Sequence, residues 1–472
     1  MTRYHFTLAV SLVVAFCSKL DAQSGNTSAV GQAGQASAPV PPPDYYAGQD
    51  ALERGDFATA LRYWLPLANS GDPAAECGLG SLYQAGKEVP QDSSVAVRWY
   101  RHSAELGYAP CQLKIAALYD TGTGGLERDK AQALNWYRLA AAQGYADAQA
   151  ALGFKYANGD GVPKELDTAA KWFRLAAEQG DAAAQASLGT MYSFGDGVSQ
   201  DDTQAVKWLQ LAAAQGNDGA QLNLGAMYRA GRGVKQDDVE AVKWFRLSAQ
   251  QGNAEAQWHL AYAYGNGTGV AKDRGESIKW AKLSAEQGNA MGQFQLGAEF
   301  LPSADGASQG DPAEAAKWIR SSADKGLVPA QEFFGGLCEK GQGVPQNYAE
   351  AARWYRLAAD QGDPDAQRDL GVMYLNGNGA TQDYKVALKW LQLSADQNNT
   401  DAQVKVGSMY YFGRGLPQDY VRAHMWFNLA AASGSADGAK FRDGLSKMMT
   451  PGQIAEAQRL AGKWKPVGHH AN

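Results

Sequence analysis

Ten tryptophans recur at near-constant spacing through the 472 residues. They are Trp99, Trp136, Trp172, Trp208, Trp244, Trp280, Trp318, Trp354, Trp390 and Trp426, separated by 37, 36, 36, 36, 36, 38, 36, 36 and 36 residues. A period of this length means an array of small supersecondary units, each too small to bury a core alone and burying it against its neighbours. One unit, Asp147 to Ala182, reads DAQAALGFKYANGDGVPKELDTAAKWFRLAAEQGDA. In its first half Ala148, Leu152 and Tyr156 step by four beside Gly153; in its second, Ala169, Trp172 and Ala176 step by three and four. Those spacings predict two helices, each with one apolar face to bury.

The punctuation agrees. Gly159 and Gly161 stop the first helix, and glycine pairs recur at Gly195/Gly197, Gly231/Gly233, Gly341/Gly343, Gly377/Gly379 and Gly413/Gly415. Glycine is costly inside a helix and free of strain where φ is positive, so these pairs mark turns. The second helix opens on Asp129/Gln132, Asp201/Gln204, Asp237/Glu240, Asp273/Glu276, Asp311/Glu314 or Asn347/Glu350. In this capping-box pattern the first side chain takes a free backbone N–H and the residue three on returns the bond. The same helix ends at a glycine in each unit except at Asn398, the residue next most tolerant of the left-handed conformation.

The pattern A-x-x-x-L-G-x-x-Y, then G-x-G-V, then A-x-x-W-x-x-x-A-A-x-Q-G resembles the Sel-one-like repeat, a relative of the tetratricopeptide repeat. The resemblance implies an all-α fold: a right-handed superhelical solenoid of about ten 36-residue helix-turn-helix repeats, spanning 74–436. It also implies a scaffold for other proteins. Residues 44–73 are expected to form an N-terminal capping helix pair, with Tyr63 at the ladder position, and 437–472 to form C-terminal capping helices and a tail. Terminal repeats are atypical because one face of each meets water.

Residues 1–22 read as a secretory signal: Arg3, then the apolar run FTLAVSLVVAF, then Leu20-Asp21-Ala22 as a cleavage site. Eleven apolar residues are too few to span a bilayer. Lipoprotein anchoring at Cys17 is disfavoured, because Phe16 stands where that processing needs a small residue. Residues 23–43, rich in Gly, Ser, Ala and Gln and ending in PVPPP, form a tether that cannot bury a core. The expected compartment is the periplasm or the medium.

Three cysteines follow the signal. Cys77 and Cys111 lie in the first helices of adjacent units, two positions out of register, and can pair only if those helices approach closely; spacing leaves both outcomes open. Cys338 stands where other units have tyrosine and reads as a buried apolar residue.

Chemistry-bearing motifs are sparse. The histidines His102, His259, His424, His469 and His470 show no metal or catalytic spacing, so neither a metal nor a cofactor is expected. The GDGV loops with Asp160 and Asp196 offer one carboxylate each, too few for calcium. GNGTGV mimics a nucleotide fingerprint but follows a helix. A net charge of −6 without a Lys/Arg cluster argues against nucleic acid as a partner.

What varies between units is where function is sought. Two positions past Ala148 lies about 200° around the helix, so Ala150, Phe154 and Ala157 are expected to face away from the buried stripe. By resemblance to tetratricopeptide repeats, this face, with Asp147, lines a concave groove. The same positions hold Leu222 and Arg229 in the fifth unit, Trp258 and Tyr262 in the sixth, and Met291 and Phe294 in the seventh. Farther on, Glu332, Glu339, Asp365, Arg368 and Asp401 charge it. Trp258, a tryptophan inside the array but out of step with the ladder, then belongs to an apolar and aromatic partner site. The other reading is that neighbouring first helices converge and Trp258 fills the gap.

The function expected is a non-enzymatic scaffold of the cell envelope holding a peptide or protein segment. An alternative, by analogy with cysteine-rich family members, is a cell-wall enzyme or binder of β-lactams or peptidoglycan fragments, although no serine here stands in an activating constellation. A third is an architectural spacer.

Overall fold

The computed structural model describes residues 43–302 and 310–467. The signal (1–22), the tether up to residue 42, residues 303–309, and His469 and His470 lie outside the described residues. Among the described residues there are 24 helices, from α1 (Pro43–Glu53) to α24 (Pro451–Lys463), and no strand. They form an all-α repeat solenoid in two compact units, one of 43–256 with 268–270 and one of 257–267 with 271–467. Within each unit the helices pack on their sequence neighbours.

A single repeat shows why the sequence folds so. In α7 (Ala146–Asn158), Ala148, Leu152 and Gly153 are buried; in α8 (Leu166–Glu178), Ala169, Ala170, Phe173, Ala176 and Ala177 are. The seam is therefore centred one residue beyond the tryptophan. Trp172 is half-buried at its edge, whereas Phe173 fills the core. A Cβ on Gly153 would overlap the Phe173 ring, so glycine in the first helix and a large residue in the second form one packing unit. The sixth repeat solves the same problem differently: Ala261 faces the seam where other units have glycine, Ala281 replaces the large residue, and both are fully buried.

The glycine pair has two separate causes. Gly195 supplies the left-handed residue that ends the helix, accepting no side-chain burden in doing so. Gly197 also has positive φ, and a Cβ there would overlap the Leu166 carbonyl at the start of the previous second helix. The forward caps form at all six expected positions, from Asp129 to Asn347. The returning half of the capping box forms instead at Thr450 and Gln453. Glu276 and Glu314 instead accept hydrogen bonds from Trp280 and Trp318 Nε1 at 2.9 and 2.8 Å.

Neighbouring repeats are also tied by a glutamine ladder. Gln149 of α7 donates to the Ala141 carbonyl, and its amide oxygen accepts from Gln179 at the end of α8, 2.8 Å away. The rung repeats at Gln185/Gln215, Gln221/Gln251, Gln257/Gln287, Gln331/Gln361 and Gln367/Gln397. Each rung satisfies buried amide atoms that would otherwise cost free energy.

The spacing condition on the cysteines is met. α3 (Pro73–Ala85) and α5 (Ala109–Thr121) bring Cys77 and Cys111 into a disulfide with Cα atoms 5.8 Å apart. Cys338 is buried beside Phe334 and Trp354, and burial pushes its thiol up to about 11.

Candidate interaction face of the first helices

The residues singled out from sequence lie on first helices in both compact units. Leu222 and Arg229 stand on α11 (Asp218–Ala230) of the N-terminal unit, both half-buried. The Arg229 guanidinium lies 5.7 Å from the Phe245 ring centroid, a local cation–π contact. Ala150, expected to face away from the seam, is fully buried within the core cluster that holds Ala184 and Leu188. A methyl group at that position lets the next repeat close over it; the larger residues found there elsewhere leave part of their surface in water.

In the C-terminal unit, Trp258 and Tyr262 share α13 (Ala254–Asn266). The Trp258 ring is half-buried, 4.2 Å from His259 and 6.4 Å from Tyr262, and Tyr262 is 43% exposed. Met291 and Phe294, both half-buried, stand on α15 (Ala290–Glu299). Phe294 meets Phe333 of α17 (Val328–Lys340) edge to face, with centroids 6.0 Å apart.

Beside Phe333 the face opens into a cavity of about 320 Å³. It brings together Glu332 and Arg368, which the sequence places 36 residues apart, with Glu339, Tyr355 and Asp369. Arg368, on α19 (Pro364–Asn376), is held by neighbouring carboxylates. It donates to Asp369 through Nε and Nη2 at 2.8 and 3.0 Å and to Asp365 through Nη1 at 2.7 Å, and Asp401 lies 4.0 Å away. Burial opposes its charge, but these carboxylates more than offset that and hold its pKa above the ordinary value. Tyr355, on α18 (Tyr348–Asp360), donates its hydroxyl to Glu339 at 2.9 Å.

Glu332 is different. Burial, reinforced by the charges of Asp369, Asp363 and Asp365 and only partly relieved by Arg368, pushes its carboxyl up to about 7. Among the described residues no side chain donates a hydrogen bond to it. Sequence reasoning missed Phe333 and Asp369, which stand one position past the residues it tracked, and missed why a cavity exists. The signal was Phe334-Gly335-Gly336: the second glycine, which lines the cavity, stands where other units carry Phe154, Tyr262 or Val372, or the smaller Ala226 and Ala298.

The Sel1 repeat family model matches eleven segments: 45–72, 73–108, 109–145, 146–181, 182–217, 219–253, 254–289, 290–327, 329–363, 364–399 and 400–435. The chain belongs to the Sel1 repeat family. The first segment covers the helix pair expected as a cap. Among solved structures, the chain is similar to a protective antigen present in uropathogenic Escherichia coli strains displaying an SLR fold. The two are 35% identical over 86% of this chain and 94% of that one, with a TM-score of 0.57. It is also similar to a Sel1 repeat protein from Oxalobacter formigenes, 31% identical over 51% of this chain and 96% of that one, with a TM-score of 0.47. No curated protein matches the chain. Sel1 and tetratricopeptide-like repeats generally mediate protein–protein interaction, typically as non-enzymatic scaffolds. No helix among the described residues is long and apolar enough to cross a membrane.

Proposed function

We propose that the chain is an exported, non-enzymatic scaffold of the cell envelope that holds an extended segment of another protein along the first-helix face of its C-terminal unit. The observation that carries this reading is the continuity of the Phe294–Phe333 pair with the polar cavity behind it, on a repeat framework that is otherwise regular. Apolar anchors beside placed polar groups are what peptide grooves use to combine affinity with direction.

Export is supported by the signal-like residues 1–22 and by the disulfide, since disulfides persist in oxidising compartments and rarely in the cytosol. The similar E. coli protein is a protective antigen, which accords with export.

The test is to combine Trp258→Ala with Phe294→Ala, retrieve partners from the native envelope, and record melting curves for both forms. Loss of partners at unchanged melting temperature is the expected result. Collapse of stability would make Trp258 and Phe294 structural filling, and retention of all partners would move the binding face elsewhere.

A further inference from the structure

The cavity beside Phe333 is shaped by an absence and bounded by an unbalanced charge. Gly336 contributes no side chain to it, and the nearest atom to a Cβ built there is the Tyr355 hydroxyl at 3.6 Å, an ordinary contact. The helix therefore tolerates a side chain at 336, and its absence is not forced by packing.

The charges around the cavity do not cancel. Asp365 and Asp369 share Arg368. Glu339 has the Tyr355 hydroxyl, a neutral donor. Glu332 is left without a donor among the described residues, and Lys340 is exposed at the rim. Opposite charge entering such a half-buried site recovers electrostatic free energy that water supplies poorly. An anionic group meets the repulsion of these carboxylates, and a neutral donor can hydrogen-bond Glu332 but leaves its charge unbalanced.

We propose that this cavity seats one basic side chain, arginine or lysine, of the bound protein segment, with an adjoining apolar residue of that segment packed on Phe294 and Phe333. The inference rests on the scaffold reading above and adds the chemistry of what is read. Glu332 and Glu339 recognise the cation, Gly336 provides the room, and the aromatic pair separates a peptide from a free amine of the same charge.

The experiment uses the full mature chain and three probes: acetyl-Phe-Ala-Arg-amide, the same peptide with Gln in place of Arg, and free arginine amide. Titration calorimetry at about pH 8 should show the Arg peptide binding about tenfold more tightly than the Gln peptide, the scale of one charge-assisted contact, and more tightly than arginine amide. Glu332→Gln should abolish the preference by removing the charge, and Gly336→Leu by filling the space. Lowering the pH through about 7 should erode it as Glu332 takes up a proton. The other groups around it are Asp363 at the N-cap of α19, Asp365, Asp369 and Arg368 on α19, Tyr355 on α18, and Glu339 and Lys340 on its own helix.

Equal binding of the Arg and Gln peptides, or a preference that survives both variants, overturns the proposal. Arginine amide binding as tightly as the peptide also overturns it, assigning the cavity to free amines. Partner loss in the Trp258/Phe294 variant together with full retention in Glu332→Gln would leave the scaffold standing and remove only the basic anchor.

Discussion

Glu332 concentrates the electrostatics of the C-terminal face in one side chain, and its protonation sets a measurable stability effect. Its ordinary pKa of 4.5 applies to the unfolded chain, and the folded value is about 7. A raised carboxyl pKa means that the folded state binds the proton more tightly than the unfolded state does. Below the unfolded value both states are protonated and there is no penalty. Stability contributed by this residue then falls as pH rises from 4.5 and is fully lost above about 7. Glu332→Gln removes the titration, so the variant should be more stable than the parent at about pH 8, by roughly 1–2 kcal/mol once solvent screening is discounted, and equal to it near pH 4. Denaturant melts at the two pH values check this; a variant no more stable at the higher pH would show that Glu332 already has a cationic partner. At this scale the sequence was legible where variation along the array was charged, as at Glu332 and Arg368. It went unread at Gly336, because a pocket beside a missing side chain is marked only by the glycine itself, and glycine is common throughout the chain.

Helices were legible where their causes are local. Caps, turn glycines and the left-handed Asn398 depend on a few adjacent residues, and the structure places each where spacing predicts it. The buried face was less so: Trp172 and Phe173 are neighbours, and a period of 3.6 does not say which of the two centres the seam. The glutamine ladder was not anticipated, since its bonds join residues about thirty apart. Two buried oxygens mark where it breaks, Gln293 Oε1 and Gln403 Oε1, and in both cases the glutamine that would close the end of the same repeat is missing. Lys325 stands at the first of these positions and donates to the Gly288 carbonyl; Ser433 stands at the second and donates to Asn398. Lysine thus reproduces one bond of the absent glutamine but not the other. Lys325→Gln should complete the rung and raise stability by about 1 kcal/mol, the worth of satisfying one buried acceptor. The same change made together with Gln293→Ala, which removes the acceptor, should give no gain. A gain that persists in the double variant would mean that the effect comes from removing the lysine charge.

For the molecule as a whole, stability in a repeat array is a sum of local and nearest-neighbour terms, so a cross-link acts mainly where it is placed. The Cys77–Cys111 disulfide ties two successive first helices across a sequence separation of 34 residues. Closing a loop of that size in the unfolded chain is worth about 4 kcal/mol in the chain-entropy account. Ten of the eleven repeats, the fold class and the possibility of this bond were readable from spacing, whereas the first repeat, 45–72, reads as a cap because it lacks the glycine-pair loop; whether α3 and α5 come close enough was not readable, because that depends on how alanine-rich faces settle against each other. Reduction, or Cys77→Ala with Cys111→Ala, should therefore loosen the first repeats without weakening the last. Hydrogen exchange is the suitable measurement: amides of 73–121 should lose protection by a factor of several hundred, while those of 364–412 hold theirs within about threefold. The buried Cys338 gives an internal control, since its alkylation reports opening of the C-terminal unit and should not accelerate on reduction of the bond. Equal loss of protection at both ends would mean that the array unfolds as one cooperative body, in which case a reducing environment would disable the binding face from a distance and export would be a condition of function.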